Sequence, residues 1–215
     1  MNRDELVVAL IAGAQELQQT LPADAADKLA RLLEDLARWG QRINLTAIRK
    51  LPDMVSGHVL DSLSVWPYLH GQTVLDVGTG AGFPGLPLAI VDPEREFELL
   101  DSNGKKISFV RHIIGALGLG NASAVKVRAQ DYAPGKRFDT VIARALTAIP
   151  RFIEIGGHLM REDGVLLALK GKYPAKELDE LPTNWKYDVI ELRVPGLELH
   201  SRHLVVLKCR GDAAA

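Results

Sequence analysis

Residues 73–85 read Thr-Val-Leu-Asp-Val-Gly-Thr-Gly-Ala-Gly-Phe-Pro-Gly, a short apolar run that breaks into a glycine loop and then enters a helical segment whose first turn suits Pro84. A strand that turns through glycines into a helix is the opening of a βαβ unit, since glycine lets the backbone reverse tightly at the strand's carboxyl end. The alternation continues downstream. Apolar runs near 73–77, 96–100, 123–127, 138–143 and 164–169 read as strands, with helices near 84–92, 103–117 and 147–160 between them. This predicts an α/β fold around a mostly parallel sheet. Two further runs, 185–192 and 203–207, flank the turn signal Pro195-Gly196 and predict an antiparallel pair at the end of the sheet.

Before Gly71 the period is helical instead. Residues 3–20 carry Leu6, Leu10 and Leu17 on one stripe, and 22–40 carry Leu29, Leu32, Leu33, Leu36 and Trp39, with Pro22 as the break. From Pro52 to about Leu69 a third helix places Val55, Val59, Leu63 and Trp66 together, with His58 and Asp61 three apart on a shared face. The expected organisation is a helical extension over 1–70 and an α/β domain over 71–215, packed as one compact unit.

Composition narrows the function classes. A chain of 215 residues, 47% hydrophobic and 25% charged, builds one ordinary core and is neither disordered nor disulfide-stapled. Its net charge is -1, so any polyanion partner must meet a local basic patch rather than the whole field of the molecule. The single cysteine, Cys209, permits no disulfide framework and no cysteine-rich metal site, and no metal is expected. Leu6–Ala14 has the length of a signal segment, but Asp4 and Glu5 precede it where positive charge is needed, so it reads as a buried helix face. No run approaches a membrane span, and a cytoplasmic monomer is expected. The alanine run at 213–215 is the only low-complexity tract.

The loop's charge selects its ligand. Gly80, Gly82 and Gly85 match GxGxxG, which alone would suggest a nicotinamide oxidoreductase. Asp76, however, sits two residues before the first turn glycine, Gly78, where a carboxylate repels a pyrophosphate and attracts a ligand bearing an ammonium and a sulfonium. That ligand is S-adenosylmethionine. A nucleoside lying across the sheet also needs an acid at the end of the second strand for its ribose hydroxyls, and Asp101 stands there. Arg128-Ala129-Gln130-Asp131 follows the third strand, where a backbone N–H and a side chain can read an adenine edge. The duller alternative makes the glycines a tight turn and Asp101 a cap for the helix at 103–117.

With these residues in view the chain resembles the bacterial small-subunit ribosomal RNA guanine-N7 methyltransferase G family, also called the glucose-inhibited division protein B family. The resemblance rests on Trp39-x4-Asn44-Leu45-Thr46, His58-x2-Asp61-Ser62, the loop 76–85, Asp101-Ser102-x2-Lys105-Lys106-x2-Phe109, Arg128-Ala129-Gln130, Ala143-Arg144-Ala145, Lys170-Gly171 and Arg202. It implies a class I S-adenosylmethionine-dependent methyltransferase fold, Rossmann-like, with a helical N-terminal extension. It further implies that Gly78, Gly80, Phe83, Ser102, Ala129, Gln130 and Arg144 line the cofactor pocket, with Asp76 and Asp101 as acidic contacts. The substrate would be a guanine of 16S rRNA in the decoding-region loop of the small subunit. The chain departs from the family pattern at Gln130, where a glutamate is usual, and at Gly104, a poor helix former.

Guanine N7 offers a lone pair without deprotonation, so alignment suffices and no general base is needed. The chain agrees by omission. It has no Asn/Asp-Pro-Pro-Tyr motif after the fourth strand, and Cys209 is badly placed to attack a cytosine. Arg144, His58 and Lys170 are the candidates nearest the chemistry, with Arg144 read as a cofactor or phosphate contact because a grip on O6 and N7 would occupy the nucleophilic lone pair. Lys170 at a strand end is expected to point into the ligand crevice. Asn44, Lys105, Arg128, Lys170 and Arg202 are the expected RNA contacts. Each has a structural alternative: a surface pair for His58 and Asp61, a solvated helix start for Lys105 and Lys106, a turn and cap for Asn44 and Thr46, a strand surface for Arg202. A non-catalytic RNA-binding module that kept the cofactor fold is the remaining rival.

Overall fold

The computed structural model describes residues 1–209. The alanine run at 213–215 lies outside them. Helix α1 is Arg3–Glu16 and α2 is Ala25–Gly40, both shorter than their periodicity suggests. Asn2 opens α1 with a reciprocal cap, accepting from the Glu5 N–H while the Glu5 carboxylate accepts from its own. The chain then leaves the helix through left-handed Gln18 (φ +58) and enters α2 through left-handed Asp24 (φ +64), so backbone turns rather than Pro22 set both ends. Only one stripe of Leu6–Ala14 is buried: Leu6, Leu10 and Ala14 face the core, while Val8 and Ile11 are exposed.

The predicted third helix is a relay of short pieces. Leu51–Met54 (α3) passes into a π-helical turn at Val55–Leu60, then α4 at Asp61–Leu63 and a 3₁₀ turn at Trp66–Tyr68. A π turn widens the backbone by one residue, which rotates the side chains that follow it away from 3.6-residue positions. Val55, Val59 and Leu63 still reach the core; His58 and Asp61 do not meet each other but both turn toward the sheet.

The sheet has seven strands: β1 Thr73–Val77, β2 Glu96–Asp101, β3 Ala122–Lys126, β4 Phe138–Arg144, β5 Met160–Lys170, β6 Trp185–Glu191 and β7 His203–Cys209. Their order is β3-β2-β1-β4-β5-β7-β6, parallel from β3 through β5, with β7 antiparallel to both β5 and β6. Helices α5 (Gly85–Val91), α6 (Gly104–Leu117), α7 (Ile149–Gly156) and the short α8 (Ala175–Asp179) complete the chain. Pro84 is the N-cap of α5 rather than part of its first turn. Alternate residues of β1 serve opposite faces: Val74 joins a cluster containing Leu29, Leu33, Val59, Leu63 and Phe109, whereas Leu75 and Val77 join one containing Phe138, Phe152 and Leu166. The first of these clusters draws α1, α2 and the π-helical segment onto the sheet. Strand order reverses between β1 and β4, and the crevice at the carboxyl ends of those strands is where such sheets bind ligands.

Candidate active site

Two carboxylates shape the glycine loop. Asp76, 1% exposed on β1, accepts through Oδ2 from the Thr79 hydroxyl at 2.5 Å and the Gly85 N–H at 2.8 Å. Asp101, ending β2, accepts from the Gly80 N–H at 2.9 Å through Oδ2 and from the Asn103 N–H at 2.7 Å through Oδ1. The cap of α6 is therefore Asn103, whose Oδ1 accepts from the Lys105 and Lys106 N–H groups, and this capping offsets Gly104 at the first helical position. Gly80 is left-handed, and a Cβ there would clash with nothing, its nearest neighbours being Lys106 Nζ at 3.9 Å and Gly78 O at 4.0 Å. Gly85 is needed for another reason: a Cβ there would stand 2.7 Å from Asp76 Oδ2 and 2.7 Å from Leu99.

Burial pushes the Asp76 carboxyl up to about 6, against the opposing pull of the Thr79 hydroxyl and the Gly85 N–H. Its Oδ1 is buried without a hydrogen-bond partner. A buried carboxylate oxygen without a partner carries a desolvation cost that a cationic neighbour would offset.

A second cluster meets at the end of β4. Arg144 Nη1 donates to Gly57 O at 3.1 Å and to Asp61 Oδ2 at 3.0 Å, and Nη2 reaches His58 Nδ1 at 3.3 Å. Arg202 donates through Nε to the other oxygen of Asp61 at 2.9 Å, so one buried carboxylate joins the π-helical segment to β4 and to the start of β7. Because a guanidinium only donates, His58 Nδ1 carries the lone pair; the ring proton sits on Nε2 and is donated to Thr46 Oγ1 at 2.8 Å. The His58 ring stacks on Phe83 with centroids 4.6 Å apart, and the Arg144 guanidinium lies 5.4 Å from the same ring. Phe83 is 3% exposed, so its ring is the floor of this cluster rather than an open pocket wall.

The remaining expected residues divide. Ala129 is buried in a 3₁₀ turn after β3, while Gln130, Arg128, Ser102 and Lys105 are exposed around it and at the start of α6. Asn44 is exposed and its Oδ1 accepts from Arg49 at 3.2 Å. Lys170 does not point freely into the crevice: its Nζ donates to Glu177 at 2.7 Å and to Thr147 O at 2.8 Å. The expectation of a free cation fails because Glu177, on α8, also accepts from the Ile149 N–H and pulls the ammonium to itself. Arg202 is likewise a buried-pair residue and not a plain strand surface. Sequence reasoning passed over Glu177 and Leu146; the latter lies over Gly78 from the segment after β4. Neither carries a spacing signal: Leu146 meets Gly78 across the fold, and Glu177 reaches back past a turn to Lys170.

Burial, reinforced by the Arg144 charge, lowers His58 to about 4 from 6.5. The unfolded chain therefore takes up a proton below pH 6.5 that the folded chain refuses until about pH 4. Stability fully present above 6.5 is lost across that window, by about 3 kcal/mol at 1.36 kcal/mol per unit. Asp76 runs the other way, since its folded carboxyl takes a proton near pH 6, before the unfolded one does, and acidification relieves its buried charge. Urea unfolding of the wild type and His58→Gln at pH 7, 5.5 and 4 separates the two. The stability gap between the proteins should move by up to about 3 kcal/mol in favour of the variant as pH falls; a gap constant with pH would show that His58 is not held neutral.

Residues 25–205 match the family described as rRNA small subunit methyltransferase G. A protein named Ribosomal RNA small subunit methyltransferase G from Xanthomonas campestris pv. campestris (strain B100) is 46% identical over 204 residues, covering 94% of this chain and 95% of that protein. One of the same name from Idiomarina loihiensis is 47% identical over 176 residues, covering 81% and 85%. Among solved structures, a SAM dependent methyltransferase from Aquifex aeolicus superposes with a TM-score of 0.54 at 20% identity, over 73% of this chain and 93% of that one. P. horikoshii TYW2 in complex with MeSAdo superposes at 0.55 and 12% identity, over 72% and 63%. At those identities the structures speak for the class I methyltransferase fold alone, while sequence identity near one half over nearly the whole length goes further: this chain belongs to the rRNA small subunit methyltransferase G family.

Proposed function

We propose that this protein transfers a methyl group from S-adenosylmethionine to N7 of a guanine in the 16S rRNA of the small ribosomal subunit. The observation that carries the reading is the near-full-length match to proteins named for small-subunit rRNA methylation. The site is consistent with the cofactor: Asp76 offers a buried, unpartnered oxygen to a cationic ligand, Gly80 leaves room for close approach, and Asp101 stands at the strand end that faces a ribose. The same buried charge disfavours a pyrophosphate and hence a nicotinamide cofactor. Bound there, S-adenosylmethionine supplies an electrophilic methyl on a sulfonium.

What the chain contributes is position. Arg144 has three of its donors fixed by Gly57 O, Asp61 and His58, leaving Nε–H and one Nη2–H presented rigidly at the end of β4 for the cofactor carboxylate or a phosphate. His58, neutral and held by Thr46, orients that guanidinium rather than moving a proton. Guanine N7 needs no base, so this alignment suffices. Lys105, Arg128 and Asn44, all exposed, are the RNA contacts, with Gln130 and Ser102 beside the nucleoside. Lys170 and Arg202, neutralised by Glu177 and Asp61, shape the site more than they attract phosphate. The helical extension over 1–70 and the α/β part that follows act as one unit among the described residues, because a single apolar cluster from Leu6 to Leu204 spans both. A cytoplasmic location follows from the substrate; no helix among the described residues is long and apolar enough to cross a membrane.

The test incubates the protein with methyl-labelled S-adenosylmethionine and small-subunit rRNA lacking the modification, both as free RNA and as assembled subunits. Label should appear on guanine and disappear when the target is 7-deazaguanine. Transfer that survives the 7-deaza replacement would overturn the N7 assignment. Binding of both partners with no transfer would favour the non-catalytic module.

A further inference from the structure

Four residues, Ala145 to Ala148, bridge β4 to the helix that follows it, and the bridge carries two unfavourable features at once. Ala145 is left-handed, with φ +50, a conformation in which its Cβ crowds the backbone. Leu146, a large apolar side chain just past the carboxyl end of β4, is 37% exposed. Its side chain packs on Gly78, the first glycine of the loop after β1, so closely that any Cβ at Gly78 would overlap Leu146 Cδ1. Gly78 is itself left-handed, with φ +69, and presents bare backbone to the leucine.

The strain persists because both ends of the bridge are clamped. Upstream, Arg144 is fixed by Asp61 and Gly57 O. Downstream, Thr147 O accepts from Lys170 Nζ and the Ile149 N–H donates to Glu177, the same carboxylate that pairs with Lys170. The ion pair that removed Lys170 from the list of free cations therefore holds the downstream end of this segment. A strained residue overdetermined by its surroundings at a strand end points toward function rather than stability. The place of Leu146 says which. It spans the gap between β4 and β1, the point where strand order reverses and ligands enter.

We infer that Leu146 is the apolar wall against which the target purine is aligned: its side chain packs on the face of the guanine whose N7 accepts the methyl, and closes water out of the reacting contact. This rests on the methyltransferase reading above. An apolar wall suits that reaction because the nucleophile is a neutral lone pair on a flat ring, which needs a surface to lie on and no group to take its proton. Left-handed Ala145 is what turns Leu146 over Gly78 instead of along the strand.

The test compares the wild type, Leu146→Ala, Leu146→Met and Ala145→Gly by single-turnover methyl transfer at saturating RNA and cofactor. Dissociation constants for RNA and for S-adenosylmethionine are measured alongside. A misplacement of about 1 Å at a reacting pair costs on the order of a hundredfold in rate. Leu146→Ala should therefore slow transfer by roughly ten- to a hundredfold, with both dissociation constants nearly unchanged, and Leu146→Met should recover most of the rate. A wild-type rate in Leu146→Ala, or a loss explained wholly by weaker cofactor binding, would overturn the inference and make Leu146 a packing residue of the loop. Should Leu146→Ala fail to fold, Ala145→Gly decides, since glycine accepts the same φ without strain and only loosens the bridge. It should be at least as stable as the wild type and slower, and an unchanged rate refutes the proposal. Absence of transfer by the wild type would instead reject the enzymatic reading itself.

Discussion

Replacing Asp61 by alanine should cost about 3 kcal/mol of stability and abolish most methyl transfer. The carboxylate is 4% exposed and each of its oxygens holds a different guanidinium, Arg144 at 3.0 Å and Arg202 at 2.9 Å. Removing one partner of a buried pair typically costs about 3–5 kcal/mol because an unpaired charge stays behind. Here two like charges would stay behind and face each other, but their side chains are 20% and 27% exposed, so water relieves part of the penalty and the lower end applies. The effect on activity is separate. Without Asp61, Arg144 keeps only Gly57 O and His58, and its free donors lose their fixed direction. Arg202→Ala should cost less, since Asp61 would still be paired through Arg144. Urea unfolding of the three proteins measures this; a loss below about 1 kcal/mol for Asp61→Ala, the value of an exposed pair, would mean that the cluster is solvated and that Arg144 is oriented by something else.

Features set by local chemistry are legible in the sequence. The β1 loop, the acid ending β2 and the antiparallel last pair each follow from turn chemistry and alternation within one segment, and they stand where expected. What escaped are side-chain partnerships that no residue pattern announces, whether the partner is near in the chain or far. Position alone makes Asp76 the ligand's counter-charge, yet its Oδ2 is committed to Thr79 and Gly85, and only Oδ1 is without a partner. Lys170-Gly171 predicts a free cation, since nothing in it announces Glu177 as the partner. Helical spacing puts His58 and Asp61 on a shared face and the structure keeps them there, but their common partner is Arg144, which lies on a strand 86 and 83 residues away. The π turn at Val55–Leu60 inserts a residue while Val55, Val59 and Leu63 stay buried, so hydrophobic periodicity cannot reveal it.

The two glycines flanking the loop should separate binding from folding. Gly80→Val puts a β-branched side chain at φ +62, a strain of about 1–3 kcal/mol, into space where the nearest atom is 3.9 Å from its Cβ. The added bulk thus costs the free protein little beyond that strain and falls where the cofactor must approach. Affinity for S-adenosylmethionine should drop at least about a hundredfold, which is roughly 2.8 kcal/mol. Gly85→Ala does the reverse. Its methyl would stand 2.7 Å from both Asp76 Oδ2 and Leu99, forcing apart a buried contact that also carries the Gly85 N–H to Asp76 hydrogen bond. Overpacking of this kind costs about 1–3 kcal/mol, and a further loss follows if Asp76, already short of one partner, is left with only Thr79. Calorimetry of unfolding and of cofactor binding on both variants reads the contrast. Gly85→Ala should show the larger fall in melting temperature, and Gly80→Val the larger loss of affinity for its loss of stability. Wild-type affinity in Gly80→Val would reduce the loop to a turn, because the open space over Gly80 would then have no ligand to admit.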